Sequence, residues 1–433
     1  MSEKLLVRAY KVGCGDCIFI RIPDSNRLFH ILIDCGNFFG NSSAELEKAM
    51  ENVEELLNDE SVPEDRRGHL DLLVATHQHW DHIKGFESEL DVFKHIIVER
   101  LWLPIAMKED HPESFQMRAL QNQVEEVIRR IDSDPDFSLD SGMVSLLQMM
   151  SLSTKEASKA LVSEIPSHHG IRSVFVYRGF EQNLSNQDRE KALLNFTDSE
   201  IKLFVLAPEE DIDKSYVEDA WSFSSSTLEK GRNLINELIS ADERIETPIN
   251  ISSLEFQQLK AHLKYTSLLA AVTSNHVVNN TSVVLLLEWK GNRLVFPGDA
   301  EHESWKLIWK NVKSKIEKPV DFLKISHHGS VNGTPCDLKN PNDSINEILE
   351  AILPEANADS AKAIVSTMED VIKAELNPVP NLALMKELSK RVSNTNEYPP
   401  EQGKQPQRTD KEEGPWVDFE FEPKMINPEN ETP

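Results

Sequence analysis

The first hundred residues alternate between short apolar runs and polar turns. LLVRAYKV and CIFIRI flank the turn GCGD, and LFHILIDCG is a third run rich in branched residues. Runs of this kind predict β-strands. Leu46, Met50, Val53 and Leu57 recur at helical spacing behind a capping pattern that begins at Ser42, which predicts a helix. The strand LDLLVATH follows, and the alternation of strand and helix predicts a layered α/β domain.

A polar, mostly helical pattern fills the middle of the chain. Residues 107–200 contain one strand signal, SVFVYRGF, and IKLFVLAP predicts a strand that begins at residue 201. From 209 to 275 the serine run SFSSST is most simply a helix cap for a second helical stretch. Both helical stretches are interpreted as insertions into the layered domain.

Strand patterns return from Thr281 onward. SVVLLLEW, the turn KGN and RLVFPGDA predict a hairpin, and VDFLKIS and PWVDFEF predict later strands. Trp305, Ile308, Val312 and Ile316 predict an amphipathic helix between them. The predicted organisation is therefore one domain in two halves, 1–106 and 276–423, with a core strand at 201–208. Insertions are predicted at 107–200 and 209–275, and a disordered acidic tail at 424–433.

The charge balance restricts the class of partner. The 433 residues include 46 basic and 73 acidic side chains, which gives a net charge of −27. Such a field repels nucleic acid and anionic lipid, so broad non-specific adhesion to either is not expected. A local basic groove, or a metal centre that grips one phosphate, is still compatible with this charge. Binding of extended nucleic acid therefore stays open.

The distribution of apolar residues and cysteines favours the cytoplasm. No apolar run reaches the roughly 18 residues that cross a bilayer, and the start MSEKLLVRAY contains no apolar export signal. The four cysteines are too few for a disulfide framework in so long a chain. We therefore expect a protein of the reducing cytoplasm with no membrane association.

The stretch THQHWDH, Thr76 to His82, places three histidines and an aspartate behind a buried strand. His77 and His79 are two apart, so they project to one side of an extended backbone. Asp81 and His82 follow at the turn and can face a second point nearby. Imidazole and carboxylate are ligands of zinc and similar ions. One loop can therefore supply two adjacent metal positions, whereas a surface turn with chance histidines is the less favoured reading.

With Gly85 behind it, THQHWDH resembles the signature of the metallo-β-lactamase fold hydrolases. ILIDCG resembles the early strand whose aspartate, here Asp34, supports the metal loop. VFPGDA resembles the segment whose aspartate, here Asp299, bridges both metals, and LKISHHGS resembles the late strand whose histidine completes the second metal site. The resemblance implies an αββα sandwich with two helical insertions. It also implies two divalent cations at one edge of the sheets, zinc first and manganese as the alternative.

One branch of that family is more similar than the others. VGCGD, VVNNTSVVLLL, HHGS and RTDKEEGPWVDFEF are similar to motifs of the metallo-β-lactamase domain of ComEC-type DNA-uptake proteins and their stand-alone soluble relatives. The resemblance covers roughly residues 4–106, 201–208 and 279–422. The two helical insertions match no pattern of the family, and the membrane channel of the uptake proteins is absent.

The first metal position departs from the family pattern. Many hydrolases of this fold have a histidine in a Gly-His-Thr turn, and here the corresponding turn reads Asn-Asn-Thr from residue 279. Asn280 could be a weak ligand or a substrate contact. His276 or one of the pair His168 and His169 could replace the missing histidine, although a structural role is favoured for all three.

The doubled histidine of HHGS leaves a second choice open. One of His327 and His328 is expected to bind metal, and the other to donate a proton or hydrogen bond to substrate. Lys324, on the strand before them, could point to phosphate or be solvated, and Trp80 could line the pocket or pack on the sheet edge.

The pair Cys14 and Cys17 has the spacing of a redox or zinc motif, but without partner cysteines a structural role is favoured. Asp16 between them is the better candidate for the site. Cys35 is expected to be a small buried filler.

These features lead to an expected function. The resemblance implies a hydrolase in which a metal-bridging hydroxide is oriented by Asp81 and Asp299 and the second histidine of HHGS stabilises the leaving group. Kin with similar motifs act on phosphodiesters, so a nucleic acid, a nucleotide or a phosphorylated small molecule is the expected substrate. Two alternatives stay open. One is hydrolysis of a lactone, thioester or amide. The other is a non-catalytic or conditional module that binds a partner protein through the insertions, in a defence or DNA-processing system.

Overall fold

The structure is a computed structural model that describes residues 4–25, 27–37, 42–122, 155–217, 273–368, 379–411 and 413–424. The chain divides into two compact units. The larger contains Met1–Lys108, Ser153–Glu209 and Asn279–Pro433, and the smaller contains Glu109–Leu152 and Glu210–Val278. Much of the helical pattern predicted for the two insertions, the SFSSST cap and residues 425–433 of the predicted tail lie outside the described residues.

The first sheet of the larger unit has seven strands, five of which come from the first 104 residues. Its strands are β1 (Leu5–Tyr10), β2 (Ile18–Asp24), β3 (Arg27–Ile33), β5 (Leu72–Val74), β7 (Leu101–Pro104), β8 (Ser173–Val176) and β16 (Trp416–Phe421). They lie in the order β16-β1-β2-β3-β5-β7-β8. The pairs from β16 to β3 are antiparallel and those from β3 to β8 are parallel, so the sheet is mixed. A separate parallel pair joins β4 (His69–Leu70) to β6 (Ile97–Val98).

The second seven-stranded sheet is mixed as well. Its strands are β9 (Ile201–Ala207), β10 (Val284–Trp289), β11 (Asn292–Phe296), β12 (Phe322–Lys324), β13 (Lys362–Val365), β14 (Thr395–Glu397) and β15 (Lys404–Arg408). They lie in the order β14-β15-β13-β12-β11-β10-β9. The four strands β15, β13, β12 and β11 run parallel. The predicted hairpin at KGN is present as β10 and β11.

Ten α-helices have bounds within the described residues. They are α1 (Ser42–Leu57), α2 (Trp80–Ile83), α3 (Gly85–Ser88), α4 (Leu90–His95), α5 (Lys155–Lys159), α6 (Ile165–His169), α7 (Asn186–Ala192), α8 (His302–Ile316), α9 (Ile345–Ile352) and α10 (Leu382–Leu388). The helices predicted from the spacing of apolar residues are present as α1 and α8. Among the described residues, no helix is both long and apolar enough to cross a membrane.

Three apolar clusters hold the larger unit together. One contains residues of both sheets, such as Ile20 and Ile31 from the first and Leu285 and Phe322 from the second, so the sheets pack face to face. A second cluster joins the first sheet to α1 and α4, and a third joins the second sheet to α8, α9 and α10. Because strands covered on both faces read as continuous apolar runs, segments such as VLLL of β10 are fully buried. The predicted α/β class is confirmed.

The strand directions bring four segments of the sequence motifs to the carboxyl ends of parallel strands. Asp34 directly follows β3, and Thr76 lies two residues beyond the end of its parallel neighbour β5. In the second sheet, Asp299 follows β11 and His328 follows its parallel neighbour β12. Open α/β sheets bind ligands at the carboxyl ends of their parallel strands, so a functional site is expected at these segments.

Candidate metal centre

Asp34 fixes the position of the THQHWDH loop. Its side chain is fully buried, and its Oδ1 accepts a hydrogen bond of 2.6 Å from the Thr76 backbone N–H. Its Oδ2 accepts from Thr76 Oγ1 at 2.6 Å and from His82 Nδ1 at 2.7 Å. Because His82 Nδ1 donates to a carboxylate, Nε2 is the nitrogen left to face the site.

Glycines allow the backbone segments around this loop to approach closely. A Cβ on Gly36 would collide with the backbone of Asp81 and His82, and one on Gly15 would collide with the backbone of Gly36. The close approach permits two backbone hydrogen bonds, from Asp16 N to Asp81 O at 3.0 Å and from Cys35 N to His82 O at 2.9 Å. The two early turns GCGD and DCG therefore support the loop from behind.

Four side chains from both sheets meet in one group, which we call the four-residue group: Asp81, His82, Asp299 and His328. Each offers one ligand atom, and these atoms all lie within 4.8 Å of one another. His82 Nε2 is 3.2 Å from Asp299 Oδ1, and His328 Nε2 is 3.0 Å from Asp81 Oδ2. His328 Nδ1 donates to the Ser366 carbonyl at 2.8 Å, so its Nε2 also faces the group.

The four-residue group fits a divalent cation. His82 Nε2 and Asp299 Oδ1 are buried and, among the described residues, have no partner with hydrogen-bond geometry, although they lie 3.2 Å apart. Buried polar atoms without partners are uncommon, and an ion is one of the explanations for them. Two imidazole nitrogens and two carboxylates are a donor set that suits zinc and also manganese. The two buried atoms without hydrogen-bond partners and the types of donor atom therefore both indicate a cation site.

The pKa shifts of His82 and His328 show that the nearby carboxylates create a negative electrostatic environment in the four-residue group. Burial disfavours the charged imidazolium of His82, yet the carboxylates of Asp299 and Asp34 raise its pKa well above the usual value. Burial acts the same way on His328, and Asp299 and Asp81 raise its pKa. Without a cation, the carboxylates therefore favour the protonated form of both imidazoles. A bound cation would displace those protons.

His77 and His79 lie beside the four-residue group without belonging to it. His77 Nε2 and His79 Nδ1 are 3.1 Å apart, and the ring centroids of His77 and His82 are 4.1 Å apart. Burial lowers the pKa of His79 to about 4 and lowers the pKa of His77 well below its usual value. Both imidazoles are therefore neutral near pH 7, which is the form that binds metal.

The two histidines of HHGS face different surroundings. His328 belongs to the four-residue group, whereas His327 Nδ1 lies 3.4 Å from Glu301 Oε1 and its Nε2 lies 3.4 Å from Asn279 Nδ2. Both histidines have left-handed backbone angles, with φ of 49° and 51°, which is rare for residues other than glycine. The side chain of His327 is 24% exposed. His327 is therefore the member of the pair that is more accessible to solvent, since the side chain of His328 is 4% exposed.

The side chain of Asn280, a candidate ligand or substrate contact from the sequence, contacts the start of α8. Its Oδ1 accepts from the backbone N–H groups of Glu301 at 3.3 Å and Ser304 at 3.0 Å, so it caps the first turn of α8. Its neighbour Asn279 lies between Glu301 and His327. Asn279 Nδ2 donates to Glu301 Oε1 at 2.8 Å, and its buried Oδ1 has no hydrogen-bond partner among the described residues. Neither Asn279 nor Glu301 is among the site residues predicted from the sequence, although Asn279 lies within the quoted Asn-Asn-Thr turn and Glu301 directly follows VFPGDA.

The other candidate histidines lie elsewhere in the chain. His168 Nε2 donates to the Lys94 carbonyl at 2.9 Å, and His169 Nε2 donates to the Phe93 carbonyl at 2.8 Å. They therefore hold the end of α4, the structural role that was favoured. His276 belongs to the smaller unit.

The cysteines, Trp80 and Lys324 complete the set of candidates. All four cysteines are buried free thiols. Burial raises the pKa of Cys14 well above the usual value, and the hydrogen bond to Cys17, together with burial, does the same for the pKa of Cys35. Trp80 is half-buried, with the Lys84 ammonium 5.5 Å from its ring centroid. Lys324 is neither solvated nor directed at a substrate, because it is buried in an ion pair with Asp16. Asp16 also belongs to a second candidate metal grouping, with Asp34 and His82. The Lys324 ammonium therefore already places a positive charge beside that grouping.

No protein-family model and no curated protein sequence matches this chain.

Proposed function

We propose that this chain is a metal-dependent hydrolase of the metallo-β-lactamase fold and that its substrate is a phosphodiester. The observation that carries the proposal is the four-residue group, in which Asp81 and His82 from the first sheet meet Asp299 and His328 from the second. Two buried atoms in that group have no hydrogen-bond partner among the described residues. Residues so far apart in the chain converge on a donor set suited to a divalent cation.

The layering of the larger unit supports the family assignment. Two mixed sheets share one apolar core and carry helices on their outer faces. The motif residues lie at the carboxyl ends of parallel strands in both sheets. This layering supports the αββα arrangement that we propose from the resemblance of THQHWDH, VFPGDA and LKISHHGS.

His82 and His328 would hold one cation through Nε2, each kept in that tautomer by a partner on Nδ1. His77, His79 and Asp299 would hold a second, with zinc as the first choice and manganese as the alternative. Such cations supply Lewis-acid chemistry, because they acidify water and neutralise charge that builds on a phosphoryl group.

The remaining steps belong to side chains of the protein. Asp81 is 21% exposed, so its carboxylate can accept a hydrogen bond from the attacking water and hold it in line. His327, oriented by Glu301 and Asn279, lies where it can donate a hydrogen bond to the leaving oxygen. The sequence resemblance implies this leaving-group role for His328, the second histidine of the pair, whereas the exposure and partners of His327 support the first.

The charge of the chain narrows the proposed substrate. A net charge of −27 disfavours long nucleic acid, so a nucleotide or a small phosphodiester is preferred. The free thiols of Cys14, Cys17, Cys35 and Cys336 are compatible with a reducing cytoplasm as the proposed location.

Hydrolysis of bis(p-nitrophenyl) phosphate by the protein loaded with zinc or manganese tests the proposal. We expect metal-dependent turnover that is lost in Asp81→Ala and His82→Ala. His168→Ala is the matched control, because it removes a histidine outside the four-residue group, whose Nε2 donates to the Lys94 carbonyl, and it should leave turnover unchanged.

Metal content measured by mass spectrometry separates the alternatives. Two tightly held ions per chain support an enzyme, and fewer than one supports a non-catalytic partner-binding module. Fully loaded protein that cleaves carboxylic esters or lactones but no phosphodiester would replace the proposed substrate class. Fully loaded protein that hydrolyses neither would remove the hydrolase proposal.

A further inference from the structure

A lysine lies fully buried behind the four-residue group. Lys324, the last residue of β12, is 1% exposed. Its Nζ forms an ion pair with Asp16 Oδ2, donates to the Gly298 carbonyl at 3.3 Å and lies 3.6 Å from Asp299 Oδ1. The contacts with Asp16 and Gly298 are within hydrogen-bonding distance, and the contact with Asp299 is a longer charge–charge contact. Lys324 therefore connects the GCGD turn to the turn that carries Asp299.

This ion pair is not the simplest way to fill the space. Removing two charges from water costs free energy, and a well-packed apolar pair of similar volume is often as stable or more stable. Asp16 is buried too, and its Oδ1 has no hydrogen-bond partner among the described residues. Stability alone therefore does not explain why the chain places an ammonium group at this point.

The turn held by Lys324 is tight and specific. Gly298 has a φ of 57°, and a Cβ there would press on the side chain of Thr76. Its carbonyl accepts from Lys324 Nζ and from Ser326 Oγ, while the Asp299 N–H donates to Ser282 Oγ at 3.2 Å. Several side chains hold the backbone of this turn, but Lys324 is the one that also places a positive charge beside the Asp299 carboxylate.

We propose that Lys324 is a positioning residue for the metal centre, a permanent cation of the chain that orients Asp299 and neutralises Asp16. The proposal rests on the proposed function, because it assigns Asp299 to a bound cation. Lys324 draws Asp299 Oδ1 toward the base of the site, while Oδ2 lies 3.5 Å from His328 Nε2. The ammonium also forms an ion pair with the Asp16 carboxylate. The grouping of Asp16, Asp34 and His82 therefore does not compete with the four-residue group for the cation.

Charge removal with the fold preserved tests this role. Lys324→Met alone leaves Asp16 buried and unpaired, so its loss of stability would be uninformative. In the double variant Asp16→Asn/Lys324→Met both charges are gone, and the thermal midpoint should recover most of what the single variant loses. We expect the affinity for Zn²⁺ or Mn²⁺, measured by competition with a chromophoric chelator, to stay about 10- to 100-fold below that of the wild-type protein.

Two further variants serve as support and control. Asp16→Asn/Lys324→Gln keeps an amide donor for the Gly298 carbonyl and covers the case in which the methionine variant does not fold. It should show the same loss of affinity and an altered visible d–d spectrum when loaded with Co²⁺, because the Asp299 ligand is no longer held. Glu387→Gln/Arg391→Met removes a half-buried ion pair far along the chain and should change neither readout.

The outcomes separate cleanly. Wild-type cation affinity and an unchanged Co²⁺ spectrum in a folded double variant would overturn the positioning role while leaving the proposed hydrolase intact. A wild-type chain that binds no cation would overturn the proposed function, and the role of Lys324 with it. Loss of affinity with stability restored would support the proposal.

Discussion

The substitution Asp34→Asn tests most directly how the Asp34 carboxylate holds the THQHWDH loop. In the wild-type protein, Asp34 Oδ2 accepts from both Thr76 Oγ1 and His82 Nδ1. An asparagine that keeps its oxygen on the Thr76 N–H places an NH₂ group against these two donors. The threonine hydroxyl can rotate to accept. His82 can accept at Nδ1 only by moving its proton to Nε2, which is the nitrogen that faces the four-residue group.

The magnitude follows from the contacts that are lost. Hydrogen bonds to charged groups contribute about 1.5–3 kcal/mol each, and breaking a buried charge pair costs roughly 3–5 kcal/mol. We therefore expect the free energy of unfolding to fall by about 3 kcal/mol in the metal-free protein. Loss of a partner that orients a ligand typically lowers metal affinity about 10- to 100-fold, and the variant should fall in that range.

Asp71 offers a matched control. It is also a buried carboxylate, and it accepts hydrogen bonds from the His30 N–H at 2.8 Å and from Arg66 at 2.7 Å. Asp71 directly precedes β5, whereas Asp34 supports the THQHWDH loop that follows β5. Asp71→Asn should lose comparable stability and keep its metal affinity. Urea unfolding without metal and chelator competition measure the two quantities. Equal metal affinities in the two variants would refute the reasoning about the His82 tautomer.

Two further predictions concern the fold and not the metal. Burial lowers the pKa of His30 to about 4, so the unfolded chain, with a value near 6.5, takes up the proton first as the pH falls; up to about 3 kcal/mol of stability is present above pH 6.5 and is lost toward pH 4. His30→Phe should lack this loss, and an equal pH dependence of the free energy of unfolding in both proteins would contradict the assignment. Asn280→Ala removes the cap of α8 and should lower the free energy of unfolding by about 1–2 kcal/mol with unchanged zinc affinity, so a large loss of affinity would return Asn280 to the list of ligands.

The members of the four-residue group could be proposed as candidate ligands from the sequence because their residue types and spacing are typical of metal sites. Asp81, His82, Asp299 and His328, the members of the four-residue group, all stand in motifs at strand ends. Strand ends are predictable from apolar runs, and parallel ends meet at one edge of a sheet. The convergence of these segments therefore follows from the pattern.

The finer assignments depend on features that the pattern does not contain. Two consecutive left-handed residues decide which of His327 and His328 faces inward, and nothing in HHGS predicts that backbone conformation. Strand alternation leaves Lys324 equally often solvated or buried, and its burial follows from Asp16, some 300 positions earlier in the chain. Asn279 and Glu301 were missed because their roles arise from contact with each other and not from spacing along the sequence.

The separation between the contributors to the four-residue group has a consequence for biosynthesis. Asp81 and His328 stand 247 positions apart. During translation the THQHWDH loop leaves the ribosome long before β12 has been made, so a nascent chain exposes half of a chelating set. Under the proposed function, a cation that binds the finished chain would be held by donors from both halves of the larger unit and would stabilise the folded form over the unfolded one. The complete donor set for that cation therefore exists only after β12 and the HHGS turn have been made.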